Sequence, residues 1–343
     1  KMFGVNLPII QAPMAGAQAS ALALAVAQAG GLGSLPCAML SSQVMREEVA
    51  ALQAAHAPIN FNFFCHTPPT PQAAREAAWR AQLVRYFAEF GLAQDQAASA
   101  PSRTPFSAEV LQILRELVQH PQSCIISFHF GLPAEDLLQQ VRAWGAQIIG
   151  CATSVAEACW LAERGVDAII AQGLEAGGHR GMFLSEDITT QSGTFALLPQ
   201  VVRAVRCPVI AAGGIADAQG VRAALALGAV AAQIGTAYLL CPESSISAPY
   251  RAALQTPAAQ HTALTNLFSG RPARGIVNRF MRECGPMNED VPAFPLASSA
   301  IAPLRAHAEK LGLSDFSPLW AGQNVSACKA IGAAQLTREL AGI

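Results

Sequence analysis

Val209-Ile210-Ala211-Ala212-Gly213-Gly214-Ile215 and Ala232-Gln233-Ile234-Gly235-Thr236 each join a short apolar run to a glycine turn. Runs this short and this continuously apolar read as strands buried on both faces of a parallel sheet. The same unit recurs toward the N-terminus, at Ile9–Gln11, Leu32–Leu35, Ile59–Phe63, Ile125–Phe128, Gln147–Cys151 and Ala168–Ala171. Stretches of helical character separate them, which predicts βα units. Eight parallel strands with intervening helices is the number that closes a (β/α)8 TIM barrel. A doubly wound open sheet is the structural rival.

Helix punctuation supports the pattern. Ser41 is placed to cap a helix over Gln43–Ala55, with Pro58 before the third strand. Ser154 starts Val155–Arg164 and Gly165 ends it; Asp217 precedes Gly220–Leu227, which Gly228 stops. Two regions break the rhythm. Residues 65–123 are too long for one crossover and carry Pro68, Pro69, Pro71 and Pro101, so they read as helices decorating the barrel. Residues 242–343 follow the eighth strand and read as one or two helices plus a loop from Gly270 to Ala297, folded over the barrel. The expectation is a single domain over 1–343, with the barrel core at about 5–241.

A hydrophobic fraction of 52% over 343 residues supplies a large core, and a charged fraction of 13% argues against disorder. A net charge of −1 with no Lys/Arg run predicts no nucleic-acid partner and no anionic membrane surface. The richest apolar stretch, Ala19–Leu35, is broken by Gly30, Gly31 and Gly33, so no membrane span is expected. Lys1-Met2-Phe3 lacks the order of a signal peptide, and Lys1 reads as an added residue, which places the expectation in the cytoplasm. Nine scattered cysteines form no C-x-x-C pair and read as reduced, buried thiols. The oligomeric state stays open, a homodimer included.

Barrel active sites lie at the C-terminal strand ends. After the first run come Gln11-Ala12-Pro13-Met14-Ala15-Gly16, either a plain tight turn or a backbone shaped to meet a flat ligand. Asn60 and Asn62 point to one side of the third run; a buried amide there serves the backbone or a ligand. His129 ends the fourth run in Ser127-Phe128-His129-Phe130-Gly131 and is either a satisfied core histidine or a site residue. Gln172-Gly173-Leu174-Glu175-Ala176-Gly177-Gly178-His179-Arg180-Gly181 is the densest polar and glycine cluster, and its backbone N–H groups suit an anion or a cofactor edge. Glycine turns after both the seventh and the eighth run suit a phosphate, with Thr236 adding a hydroxyl.

Other cofactor classes fit less well. No G-x-x-x-x-G-K-[ST] loop and no G-x-G-x-x-G fingerprint occurs. Pyridoxal phosphate needs a strand-end lysine, and the only lysines are Lys1, Lys310 and Lys329. His129 and His179 alone do not make a metal-ligand set. One phosphate site, apolar walls and strand-end amides suit a phosphorylated planar heteroaromatic group, and FMN fits best.

These segments, with Gly270-Arg271-Pro272-Ala273-Arg274 and Leu319-Trp320-Ala321-Gly322-Gln323, resemble the nitronate monooxygenase family. Ser127–Gly131 resembles its class I members in particular. The resemblance implies that Ala12, Pro13 and Met14 line the flavin, that Asn62 and Gln172 hydrogen-bond it, and that Gly177 and Gly178 lie beside it. Gln233 belongs to the same cofactor-binding set. Gly213, Gly214, Gly235 and Thr236 would hold the phosphate, and His179 and His129 would face the substrate. The implied reaction is oxidation of alkyl nitronates such as propionate-3-nitronate with O2, through a flavin semiquinone, to carbonyl compounds and nitrite. A protonated or hydrogen-bonding histidine would orient the nitro oxygens, and His179 would take a proton from a neutral nitroalkane if its pKa sat near working pH. The tail departs from the family pattern in its tyrosines: only Tyr86, Tyr238 and Tyr250 occur, and Phe106 or Trp320 is the candidate for the substrate wall. Two other readings remain: an NAD(P)H-dependent flavin reductase acting on quinones or enoyl thioesters, and a non-catalytic FMN-binding barrel.

Overall fold

The computed structural model of the chain describes residues 2–53, 56–93 and 103–343. Lys1, Ala55 and Pro101 lie outside the described residues. Its strands are β1 Ile9–Gln11, β2 Gly33–Pro36, β3 Ile59–Phe64, β4 Cys124–His129, β5 Gln147–Ala152, β6 Ala168–Gln172, β7 Gly178–His179, β8 Val209–Ala212, β9 Ala231–Ile234, β10 Thr262–Thr265 and β11 Ala273–Ile276.

Eight of these strands form one parallel sheet in the order β1-β9-β8-β6-β5-β4-β3-β2. A parallel bridge from Ile10 to Leu32 closes it, with Gln11 N–H donating to Leu32 O at 2.9 Å. The fold is therefore a (β/α)8 TIM barrel, and every expected strand is present within a residue or two. Period-two alternation divides each strand between two cores. Ile10, Ile125, Ile149, Ile170 and Ile210 fill the barrel interior, while Phe61, Ile126, Ile148, Ile169 and Val209 pack outward against the helices.

The caps behave as their chemistry requires. Ser41 Oγ accepts from Val44 N at the start of Ser42–Gln53, Ser154 Oγ from Glu157 N at the start of Val155–Glu163, and Asp217 Oδ1 from Gly220 N. The last of these helices, Ala218–Ala226, begins two residues before the expected Gly220.

The two irregular regions differ from expectation. Within 65–123, the helix Ala108–Leu117 belongs to the barrel ring, burying Leu111, Ile113 and Leu114 in the main core. Among the described residues, the helix Ala73–Glu89 departs from the barrel. It places Trp79, Leu83, Tyr86 and Phe87 against Phe268, Phe280, Leu304 and Phe316 of the tail, so a second core forms between segments far apart in sequence. The tail holds four α-helices, Ala248–Leu254, Arg279–Cys284, Ala297–Lys310 and Ala333–Ala341, rather than one or two. The stretch expected as a loop from Gly270 contains β11 and a helix. Strands β10, β11 and β7 make a small antiparallel sheet in which Ala273 pairs with His179 and Arg274 with Gly178. The tail thus grips the loop that carries His179. No described helix is long and apolar enough to cross a membrane.

Candidate active site

A cavity of about 230 Å³ opens at the C-terminal ends of the barrel strands. The cofactor-binding and catalytic set expected from the sequence lines it, Asn60 and Phe106 excepted: Ala12, Pro13 and Met14 from the β1 turn, Asn62 from β3, His129 from β4, Gln172, Gly177, Gly178 and His179 from β6 and its loop, Gly213 and Gly214 after β8, and Gln233, Gly235 and Thr236 around the end of β9. The interior side of each strand puts them there. In β4, Ile125, Ser127 and His129 share the inward face, so the residue that follows the core in register reaches the opening. Asn60, one inward step below Asn62, is fully buried and donates to Ser34 Oγ at 2.9 Å; it does not line the cavity.

Side chains brace the loops from beneath. Gln18 accepts from Met14 N at 3.0 Å and donates to Ser34 O at 2.6 Å, while Gln11 Oε1 accepts from Ser34 N at 3.0 Å; this pair fixes the Ala12–Met14 turn. Gln172 spends its amide in the same way. Its Nε2 donates to His179 O at 3.0 Å and its Oε1 accepts from Gly181 N at 2.8 Å. Arg180, fully buried, donates to Gln172 O and Gly173 O at 2.7 Å and to Gln191 Oε1 at 2.9 Å. Buried Glu157 accepts from Phe183 N at 2.6 Å and Leu184 N at 3.2 Å, which anchors the far end of the loop. In contrast, Gln233 Oε1 is buried and has no hydrogen-bond partner among the described residues. A buried acceptor left open beside a cavity is costly unless a ligand donor meets it.

Two glycines of the cavity wall leave no room for a side chain. Gly213 sits at φ 121°, where a Cβ would also lie 2.7 Å from Thr194 Oγ1. At Gly177 a Cβ would lie 2.5 Å from the backbone N of Gly322, because the tail crosses directly above it. That crossing strand of the tail also carries Gly322 N–H donating to Thr236 Oγ1 at 3.0 Å and Asn324 Nδ2 donating to Gly214 O at 3.2 Å.

Burial favours the neutral form of His129 and His179, and their partners assign the tautomers of that form. His129 Nε2 lies 3.2 Å from the carbonyl of His179, which only accepts, so this nitrogen carries the proton. Ser269 donates its hydroxyl to Arg271 O, so His179 Nε2, 2.8 Å from Ser269 Oγ, is the donor there. Nδ1 is then the acceptor nitrogen on both rings. Burial pushes His129 down to about 3, with the Arg271 and Arg180 charges adding to it. Burial also holds His179 well below the ordinary histidine range, reinforced by the Arg103 and Arg271 charges. Burial and nearby arginines both oppose a positive charge here, which favours the hydrogen-bonding over the protonated form of the expected histidine.

The rest of the wall includes residues of the insertion and the tail, which together cap the barrel. Trp320 and Tyr250 line the cavity, and the Tyr250 hydroxyl donates to Trp320 O. Phe106 does not line it; it packs in the main core, 4.9 Å from Phe63 and 5.1 Å from Phe128 between ring centroids. Sequence reading missed Phe64, Cys151, Arg103, Arg305 and Asn324 in the wall. Phe64 and Cys151 sit on the inward side at the ends of β3 and β5, and register counting would have found them. The other three come from the insertion and the tail, where no register exists.

The sequence profile of the nitronate monooxygenase family matches residues 1–342. The nitronate monooxygenase of Pseudomonas aeruginosa is 42% identical over 99% of this chain and 97% of its own length. That of Paraburkholderia phytofirmans is 41% identical over 99% and 92%. Among solved structures, nitroalkane oxidase from Streptomyces ansochromogenes superposes with a TM-score of 0.88 at 37% identity, covering 99% of this chain and 96% of that one. FabK from Thermotoga maritima superposes at 0.72 with 25% identity, covering 98% and 92%. With a profile match across the barrel and its cap alike, the chain belongs to the nitronate monooxygenase family.

Proposed function

We propose that the chain catalyses FMN-dependent oxidation of alkyl nitronates, propionate-3-nitronate among them, with O2 to carbonyl compounds and nitrite. The observation that carries this reading is the convergence of the strand-end turns on one cavity that also presents a buried, unsatisfied Gln233 Oε1. The residues present fit the cofactor. Gly213, Gly214, Gly235 and Thr236 would hold its phosphate, Ala12, Pro13 and Met14 would pack against its ring, and Gln233 and Asn62 would meet its polar edge. Bound FMN would supply the acceptor for the substrate's electrons and the route to O2.

The protein's own contribution is position and field. Gln172 and Arg180 hold the His179 loop rigid, so Gly177 and Gly178 present their backbone at a fixed place. A histidine held this far below its ordinary range gains little from taking a proton from carbon. The cavity therefore favours a nitronate that has already lost its proton over a neutral nitroalkane. Phe64 and Trp320 close the wall with apolar surface and exclude water from the reacting atoms. We also infer that residues 1–343 fold as one domain, because β11 of the tail pairs with the His179 loop of the barrel.

The test is anaerobic absorbance of the FMN-loaded protein. Rapid bleaching by propionate-3-nitronate but not by NADH, with nitrite released on admitting air, supports the reading. Bleaching by NADH alone moves the protein to the flavin reductases, and bleaching by neither leaves a binding barrel.

A further inference from the structure

A nitronate is an anion, and carrying it out of water into this cavity requires a compensating cation. Burial and the neighbouring arginines disfavour a charge on either histidine. Among the described residues the cavity wall holds two arginines, Arg103 and Arg305. Arg305 is already paired, its Nε 2.9 Å from Glu309 Oε1. Arg271 stands nearby but outside the wall, stacked over Phe130 at 4.1 Å and donating to Met182 O.

We propose, building on the nitronate reading above, that Arg103 is the cation that binds the substrate. Arg103 lines the cavity and its guanidinium lies by the Phe294 ring, with no carboxylate among the described residues within ion-pair distance. The side-chain partners it has are neutral: the Ser298 hydroxyl, and the Phe294 ring with its centroid 5.8 Å away. Phe294 in turn lies 5.3 Å from the His179 ring, so cation and histidine share this aromatic neighbour. Arg103 is also the foremost charge disfavouring protonation of His179, which places its field on the group expected to face the substrate. Burial and the Arg305 charge draw Arg103 itself down to about 10, which leaves it cationic at neutral pH. A planar fork of N–H donors matches the two oxygens of a nitronate, and the match is lost in a lysine. No bond is made or broken at Arg103; its role is to bind and orient.

The test compares Arg103→Met and Arg103→Lys with the wild type, all loaded with FMN. For Arg103→Met the KM for nitronate rises at least about tenfold while kcat falls far less, which is the split expected of a binding group. Inorganic nitrate, a planar monoanion, supplies a readout without turnover. Calorimetry should show it binding to the wild type and at least about tenfold more weakly to Arg103→Met, the loss expected for a charge-assisted contact. Arg103→Lys should fall between the two. If Arg103→Met does not fold, unchanged nitrate affinity and KM in Arg103→Lys overturn the proposal. Unchanged values in a folded Arg103→Met overturn it directly, as does a wild type that binds no nitrate. Nitrate binding that depends on Arg103 in a protein inert toward nitronates would keep the anion site and reject the reaction.

Discussion

The barrel and the cap are two solutions to burying apolar surface, and they differ in how far apart their partners stand. In the barrel each strand packs on its neighbours in a fixed parallel register, as with Asn62 opposite Ser127 and Phe128 opposite Gly150. In the cap, Trp79 and Tyr86 from one helix meet Phe280 and Phe316 from segments about 200 residues away, with ring centroids 5.1–5.9 Å apart. The barrel half of the cavity holds the turns suited to a cofactor, while the cap half holds Trp320, Tyr250, Arg103 and Arg305. Under the proposed function, cofactor binding would rest chiefly on the barrel and substrate choice chiefly on the insertion and the tail, a division that mutations can test.

The largest expected effect separates the cores directly. Trp79→Ala, at a fully buried cap position, should cost about 3–5 kcal/mol. If the cores are energetically distinct, the cap melts first while barrel ellipticity persists. A single cooperative transition at a lower temperature would show that they are one unit. Next, Gly213→Ala forces a side chain into φ 121° beside Thr194 Oγ1, a strain of about 1–3 kcal/mol. FMN affinity should fall at least about tenfold while nitronate KM in the loaded fraction is unchanged, measured by flavin fluorescence and initial rates.

The histidines link the two halves. His66 is lowered to about 4 and His129 to about 3, both chiefly by burial, against an unfolded value near 6.5. Below pH 6.5 the unfolded chain binds protons that the folded chain refuses, so stability falls with pH down to those values. Each such histidine contributes on the order of 1 kcal/mol per pH unit in that window. Melting temperature should drop from pH 7 to pH 5, and His129→Asn should flatten the drop; an unchanged slope would mean that the ring is solvated. The smallest effect is Phe106→Leu. As a core residue it should lower stability by about 1 kcal/mol and leave KM alone, whereas Trp320→Phe should shift KM. A KM shift in Phe106→Leu would return it to the wall.

What was legible in the sequence follows the same division. The eight strands could be read because burial on both faces leaves a continuous apolar run, as in Val209–Ala212. The caps at Ser41, Ser154 and Asp217 could be read because capping is local chemistry. Strands β10 and β11 could not. Thr262-Ala263-Leu264-Thr265 and Ala273-Arg274-Gly275-Ile276 are strands only because each other and β7 complete their hydrogen bonds.

By itself, the sequence determined the barrel, the strand-end turns and the two histidines that face the cavity, since local pattern and period-two register are enough for these. Only the tertiary structure decided that the neutral form of the histidines is favoured, that Gln172 braces a loop, and that Arg103 and Trp320 complete the wall. Those properties depend on burial and on charges brought together across the chain, and neither exists until the insertion and the tail have met.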